Sequence, residues 1–323
     1  MGAAMVTLPQ IRDAEAALKP VVHQTPLIRS RTLDRIVGAQ VLLKAENFQR
    51  AGSFKIRGAY NRIRQALPGA GVITYSSGNH GQGVALAARI LGRSAVVVMP
   101  EDAPQAKVEA TRGYGAEVVT CGRTSVEREA RARALAAERG LEVIPPFDDV
   151  GIIAGQATVA LEVLSELPDL DTILVPVGGG GLLAGIASAV KSLRPKTRVI
   201  GVEPETANAM ALSLQAGRIV EIPYPDTVAD GLKPVRPGEL TFEAARKNVD
   251  GIVLVSDQEI LDALRFLVLR MKVLVEPSGA AAVAALLHKK LEPGKRAVAV
   301  LSGGNVDPAR LAGFLGAAGD GRS

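Results

Sequence analysis

The sequence predicts an α/β protein of two three-layer domains, each built on a parallel sheet. Three observations predict it. Strand-like apolar runs alternate with helical patterns from one end to the other, an order that yields right-handed βαβ crossovers. The chain of 323 residues exceeds one typical domain. Hydrophobic residues make up 47% of it while aromatics make up 3% and Trp is absent, so the core must be assembled from Ala, Val, Leu and Ile. Such a core suits parallel strands covered by helices better than a β-sandwich.

Taken in order, residues 41–44 read as a strand. They lead to a helix whose face runs through Ala59, Tyr60, Ile63 and Leu67, with Ser53 as its N-cap after the turn-permitting Gly52. Residues 71–75 form the next strand, followed by a polar loop from Ser76 to Gly81 and a helix over 84–91. A strand over 95–99 closes at Pro100. A helix over 105–114, a strand over 116–120, a helix over 125–138 and a strand over 141–144 follow. Later come a strand over 172–177, a helix over 182–193, and strands over 198–202 and 297–301. The compact repetition over 71–148 marks a smaller domain inserted into a larger one made of 1–70 and 149–315, and the tail 316–323 is expected to fray.

The formal charge is +5, but Lys and Arg are scattered, and the densest run, 123–139, is interleaved with Glu127, Glu129 and Glu138. That is a solvated helix face with mixed pairs; with so few aromatics to stack on bases, no nucleic-acid partner is expected. The single cysteine, Cys121, excludes an internal disulfide and suits a reducing cytoplasm, with the thiol as a small buried apolar group. No leader segment is expected at the N-terminus. No apolar run reaches the roughly 18 residues that span a bilayer, so no membrane partner is expected.

Four segments carry chemistry. Lys55 stands at a helix start, between Phe54 and Ile56. Burial and the helix dipole both lower an amine's pKa there, which makes it a candidate nucleophile toward an aldehyde cofactor. Gly178, Gly179, Gly180 and Gly181 follow a strand and open a helix. Without side chains their N–H groups can close on a phosphate. The same stretch has a rival reading: Gly179, Gly181 and Ala184 satisfy G-x-G-x-x-A, with Glu203 near the place of a ribose-binding acid in a nicotinamide-dependent oxidoreductase. Ser76, Ser77, Gly78, Asn79, His80 and Gly81 offer hydroxyls, an amide and N–H groups at a strand's carboxyl end, where a substrate carboxylate and a ring hydroxyl can be met. Ser302, at the end of the last strand, can hydrogen-bond a heterocyclic nitrogen. Together these describe a planar, phosphorylated, aldehyde-bearing cofactor, pyridoxal phosphate.

GSFKIRGA, SSGNHGQGVA, PVGGGGLLAG and LSGGN, in this order, resemble the fold-type II, tryptophan synthase β-like pyridoxal-phosphate enzymes. The closer resemblance is to the threonine dehydratase and serine racemase group, over about residues 20–310. It implies that Lys55 is the Schiff-base lysine and that Phe54 borders the ring. Gly178, Gly179, Gly180, Gly181 and Leu182 would hold the phosphate, Asn79 the ring hydroxyl and Ser302 the pyridine nitrogen. The 76–81 loop would bind the substrate carboxylate, with Ser77 at the position of the racemases' second acid/base.

The implied reaction is dehydration and deamination of L-threonine and L-serine to 2-oxobutyrate or pyruvate plus ammonia. Ser302, being neutral, would not hold the pyridine protonated as a carboxylate would, and the weaker electron sink favours elimination. Serine racemase and 3-hydroxyaspartate ammonia-lyase are the alternatives within the group; Pro146-Phe147-Asp148-Asp149 looks more like the dehydratases. Metal-binding members of the group match at Glu203 and the Ala207 carbonyl, but Ala209 stands where a second acid is expected, which leaves metal dependence open. No effector domain is expected after Asn305. The resemblance also implies a homodimer or homotetramer.

Overall fold

The computed structural model describes residues 5–76, 78–103, 105–122 and 125–316. In chain order the elements are α1 (Leu8–Leu18), β1 (Leu27–Arg29), α2 (Arg31–Val37), β2 (Gln40–Lys44), α3 (Lys55–Ile63), β3 (Val72–Tyr75), α4 (Asn79–Ile90), β4 (Ala95–Met99), α5 (Gln105–Gly113), β5 (Glu117–Thr120), α6 (Ser125–Arg139), β6 (Glu142–Val143), α7 (Val150–Glu166), β7 (Thr172–Pro176), α8 (Gly181–Leu193), β8 (Arg198–Pro204), α9 (Ala209–Ala216), α10 (Glu239–Asn248), β9 (Gly251–Val255), α11 (Asp257–Arg265), α12 (Pro277–Leu287), β10 (Arg296–Val300) and α13 (Pro308–Gly316).

The described residues form two sheets. The larger has the order β1-β2-β10-β7-β8-β9, parallel except for β1, which runs antiparallel to β2 at the edge. The smaller, β5-β4-β3-β6, is parallel throughout, and all its strands lie between β2 and β7 in the chain. Both sheets are covered on both faces. In the larger one Leu43, Leu174 and Ala299 pack with α12, while their neighbours Ile173, Val298 and Val300 pack with α7 and α8. In the smaller one Val72 and Val97 join α3 and α4, and Ile73, Val96 and Val98 join Ala132 and Leu135 of α6. Burial on both faces is why these strands read as unbroken apolar runs.

Four local expectations are corrected. Strands β1 and β9 are absent from the sequence reading: β1 is three residues on an edge, and β9 is mostly half-buried, so neither shows a full apolar run. Ser53 is not an N-cap. It is extended, bridges to Gly303, and buries a hydroxyl with no partner, while the helix begins one residue after Phe54. Helix α3 ends at Ile63, and Leu67 beyond it is exposed. Cys121 is only partly buried, at the margin of the Ile73–Leu135 cluster.

The charge run behaves as a mixed surface: Arg133 pairs with Glu129 at 2.7 Å, and Arg139 pairs with Glu117 at 2.9 Å. Among the described residues no helix is long and apolar enough to cross a membrane. The tail 317–323 lies outside the described residues.

Candidate active site

The site is built where the carboxyl ends of β2, β3, β7 and β10 bring four segments together. Segment 51–54 is zipped to the loop after β10. Phe54 N donates to Ser302 O at 3.2 Å, Gly304 N donates to Gly52 O at 2.9 Å, and the Asn305 amide donates to Ala51 O at 2.7 Å. Ala51 has φ 58° and Gly52 has φ 70°, left-handed conformations that turn the chain sharply into α3. A Cβ on Gly52 would also strike the Asn305 side chain.

Lys55 then projects from the first turn of α3. Its Nζ donates to Pro146 O at 2.8 Å and lies 5.2 Å from the centre of the Phe54 ring. Burial pushes the amine down to about 8, by desolvation. Gly83 of α4 lets that helix cross here, because a Cβ on it would sit 3.1 Å from the Lys55 carbonyl carbon.

The segment from Pro146 to Asp149 joins this amine to the glycine turn. The Phe147 ring occupies the space beside Gly179, where any Cβ would overlap it, and a Cβ on Gly181 would lie 3.0 Å from Phe147 Cβ. Asp148 accepts from the first-turn N–H groups of Leu240 and Thr241 at 2.9 and 3.2 Å, capping α10. Thr241 returns a bond of 2.8 Å to Gly179 O. Asp149 caps α7 through Ile152 N at 3.0 Å and pairs with Arg62 at 2.9 Å. Gly180 has φ 92° and caps α8 without a side chain, so the first turn of α8 presents bare N–H groups to an anion. Leu182, in that turn, is buried.

The loop after β3 begins α4. Ser76 Oγ accepts from Gly78 N at 3.3 Å, and Gly78, the N-cap, faces open space. A Cβ on Gly81 would meet the Ser76 carbonyl, so this turn requires a glycine there. The His80 ring nitrogen Nε2 lies 3.1 Å from Ile144 O. Burial, then the Lys55 charge, lower its pKa to about 3 against that bond, so the ring is neutral, with Nδ1 unpartnered. Ser77 lies outside the described residues. Ser302 Oγ points at Ser278 O from 3.4 Å, too far to be held by it.

Asn305, the last residue of LSGGN, and Glu276, which no motif singled out, complete the site. Asn79 Nδ2 donates to Glu276 Oε1 at 2.6 Å, and Asn79 Oδ1 accepts from Asn305 Nδ2 at 2.8 Å. Burial pushes the Glu276 carboxyl up to about 7 against the Asn79 bond and the Lys107 charge. The sequence signal that could have found Glu276 is slight, an acid before the Pro277 that starts α12.

Beneath α3, Arg57 makes a buried double fork to Glu46 and Glu162, with bonds of 2.6 to 2.9 Å, and Lys44 reaches Glu162 at 2.5 Å. Burial alone would lower the guanidinium pKa; Glu46 and Glu162 outweigh it and hold it above its ordinary value.

Glu203 stands apart from the lysine. It pairs with no arginine and takes no ribose position; its two oxygens accept from Met210 N and Ala211 N at 2.9 and 2.8 Å, capping α9. Burial pushes it up to about 8 against those bonds. With both oxygens engaged and Ala209 where a second acid is needed, this donor set fits a divalent cation poorly. Among the described residues no cluster of three His, Cys, Asp or Glu is placed to hold a metal. A cleft of about 540 Å³ between α1, α3 and α7 is separate from the lysine, and its charges are paired, Arg62 with Glu142 and Asp149, and Asp13 with Arg64.

A buried, readily deprotonated lysine is thus one short segment away from a side-chain-free anion cradle. The family profile described as "Pyridoxal-phosphate dependent enzyme" matches residues 18–303. The chain belongs to this family. That overturns the nicotinamide reading of Gly179, Gly181 and Ala184. The chain is 47% identical over 319 residues to the L-threo-3-hydroxyaspartate ammonia-lyase of Saccharomyces cerevisiae, covering 98% of each. It is 45% identical to the L-threonine ammonia-lyase of Thermotoga maritima, covering 94% of this chain and 76% of that one. The structure of maize serine racemase superposes with a TM-score of 0.93 at 39% identity, covering 96% of this chain and 97% of that one. The α/β fold is that of the fold-type II members.

The residues present fit the cofactor on three counts. The amine at Lys55 is of lowered pKa, the glycine turn opens α8 with N–H groups that no side chain caps, and Ser302 is next in the chain to Gly303, which lies against the Asn79 amide.

Proposed function

We propose that this pyridoxal-phosphate enzyme is an ammonia-lyase that dehydrates small L-3-hydroxy amino acids, threonine and serine first, to 2-oxo acids and ammonia. The observation that carries the reading is the Lys55 amine on the Pro146 carbonyl, with Phe147 seated on the glycine turn. When bound, the cofactor supplies an aldehyde for the substrate amine and a conjugated sink for electrons from the α-carbon.

The chain's own groups do the rest. Lys55 is the point of covalent attachment, and Phe54 borders the ring. Gly178, Gly179, Gly180, Gly181 and Leu182 hold the phosphate at the α8 N-terminus. Asn79 meets the ring oxygen and Ser302 the pyridine nitrogen. N–H groups and hydroxyls of Ser76, Ser77, Gly78, Asn79, His80 and Gly81 hold the substrate carboxylate; the neutral His80 ring adds no charge to them. Released from the cofactor, the Lys55 amine takes the proton from the α-carbon. The bond from the β-carbon to the hydroxyl oxygen would break, the oxygen leaving as water with a proton that the phosphate held at the glycine turn would supply, and the enamine product would hydrolyse to oxo acid and ammonia. Ser77, at the racemase position, is the candidate acid/base on the opposite face.

A second reading, a lyase for threo-3-hydroxyaspartate, is favoured by the yeast relative, which matches over nearly its whole length. A panel of L-threonine, L-serine, threo-3-hydroxyaspartate and D-serine formation decides between them. Release of 2-oxobutyrate supports the first; consumption of hydroxyaspartate alone supports the second. Borohydride should bleach the yellow holoenzyme, and Lys55→Ala should be colourless and inactive; a Lys55→Ala protein that keeps both colour and turnover would refute the covalent role.

We further infer a homodimer or homotetramer, supported by Phe48, Leu269 and Leu274, large apolar residues left about half exposed. Asn47, beside Phe48, holds the Leu274 carbonyl at 2.9 Å, which places two of them together. A cytoplasmic location is supported by the single cysteine, and fractionation of cells tests it.

A further inference from the structure

A carboxamide has two faces of equal shape and opposite chemistry, and which one meets a ligand is decided by its other partners. At Asn79 those partners leave one solution. Asn305 Nδ2 donates to the backbone carbonyl of Ala51 at 2.7 Å, which fixes the Asn305 amide in one orientation. The same nitrogen donates to Asn79 Oδ1 at 2.8 Å. On the other side an ionised Glu276 can only accept, and it takes one hydrogen of Asn79 Nδ2 at 2.6 Å. The second hydrogen of that nitrogen is left to point elsewhere. Gly303 keeps the arrangement open, because a Cβ on it would collide with Glu276 and lie 3.0 Å from Asn79 Nδ2. Glu276 N is itself tied to Gly303 O at 3.2 Å. The charged groups that act on Glu276 are Lys107 of α5 and Asp230 of the turn before α10, of opposite sign.

We propose that Glu276 and Asn305 are positioning residues that lock the Asn79 carboxamide so that an N–H, and not the oxygen, faces the cofactor's ring oxygen. The inference rests on the reading of Asn79 given above. A donor there favours the ring oxygen in its ionised form and leaves the proton on the nitrogen of the Lys55 link. That form absorbs in the visible, whereas the form with the proton on oxygen absorbs in the near ultraviolet. An Asn79 turned the other way would set a lone pair against the ring oxygen and favour the second form.

The test inverts both partners in the holoenzyme. In Glu276→Gln/Asn305→Asp the amide at 276 can donate and the carboxylate at 305 can only accept, so Asn79 is satisfied only when flipped. Its thermal midpoint should fall, because the carboxylate at 305 loses the bond to Ala51 O, but the folded holoenzyme should show a lower visible band and a higher near-ultraviolet band. The dissociation constant for pyridoxal phosphate should rise about tenfold, the loss of roughly one hydrogen bond. Asn305→Asp alone leaves Asn79 with an acceptor on both sides and should give a mixture of the two bands. Glu276→Gln alone, able to accept through its amide oxygen, should keep it. Wild-type bands in both Asn305→Asp and the double variant would overturn the proposal. A wild-type band and affinity in Asn79→Ala would overturn it too, by removing Asn79 from the ring oxygen. That failure is separate from failure of the cofactor assignment, which would show as borohydride bleaching that survives in Lys55→Ala.

Discussion

The chemistry proposed for Lys55 rests on surroundings that take away its water. With its pKa near 8 rather than 10.5, a useful fraction of the amine is uncharged at neutral pH. The rate at which apo-protein takes up pyridoxal phosphate should therefore rise about tenfold per pH unit below 8 and level off above it. Stopped-flow growth of the visible band measures this, and a flat profile from pH 6 to 8 would contradict it. Glu203 shows the opposite shift. Its folded-state pKa, about 8, lies above its ordinary 4.5, so the folded protein holds the proton more tightly. Its contribution to stability is fullest below about pH 4.5 and is lost as pH rises through about 8. Urea unfolding should show Glu203→Gln gaining on the wild type by a few kcal/mol between pH 5 and pH 9.

At the scale of elements, the glycine turn and α3 are each held by something the motif does not contain. Gly179 needs to be glycine because Phe147 fills the space beside it. Gly179→Ala should drive that ring out and weaken cofactor binding by tenfold or more, read by equilibrium titration, while the far-ultraviolet circular dichroism stays unchanged. Helix α3 is anchored by Arg57 against Glu46 and Glu162. Arg57→Ala strands the Glu46 carboxylate in the interior and should cost about 3–5 kcal/mol in a urea denaturation experiment. The sequence marked α3, α8 and their loops because helix starts and glycine turns are local backbone demands. It marked neither β1 nor β9, whose places at the sheet edges ask for no continuous apolar run. Ser53 was misplaced as a cap for a related reason: its partner in pairing, Gly303, lies 250 positions away in the chain by their numbers and leaves no local trace.

For the whole molecule, the decisive fact is that one small sheet interrupts the chain of a larger one. Helix α3 and residue Ala51, which precede β3, pack into the hydrophobic cluster of the small sheet, so the lysine is shared between the two units. The loop after β3, the lysine and the glycine turn therefore meet at one junction. If the exposed Phe48 and Leu274 are covered by a second copy, Leu274→Asp should shift sedimentation equilibrium toward monomer, with the monomer retaining its fold; an unchanged mass would count against that interface.

Residue types and their spacing were enough to settle the α/β class and the cofactor, and to single out the lysine and the tetraglycine turn, since each states a requirement of its own few neighbours. The orientation of the Asn79 amide, the pairing of Glu276 and Asn305, the seat of Phe147 and the capping duty of Glu203 were settled only in three dimensions. Those depend on side chains from distant segments competing for a small number of hydrogen-bonding atoms, and the winners are known only once the chain has closed around them.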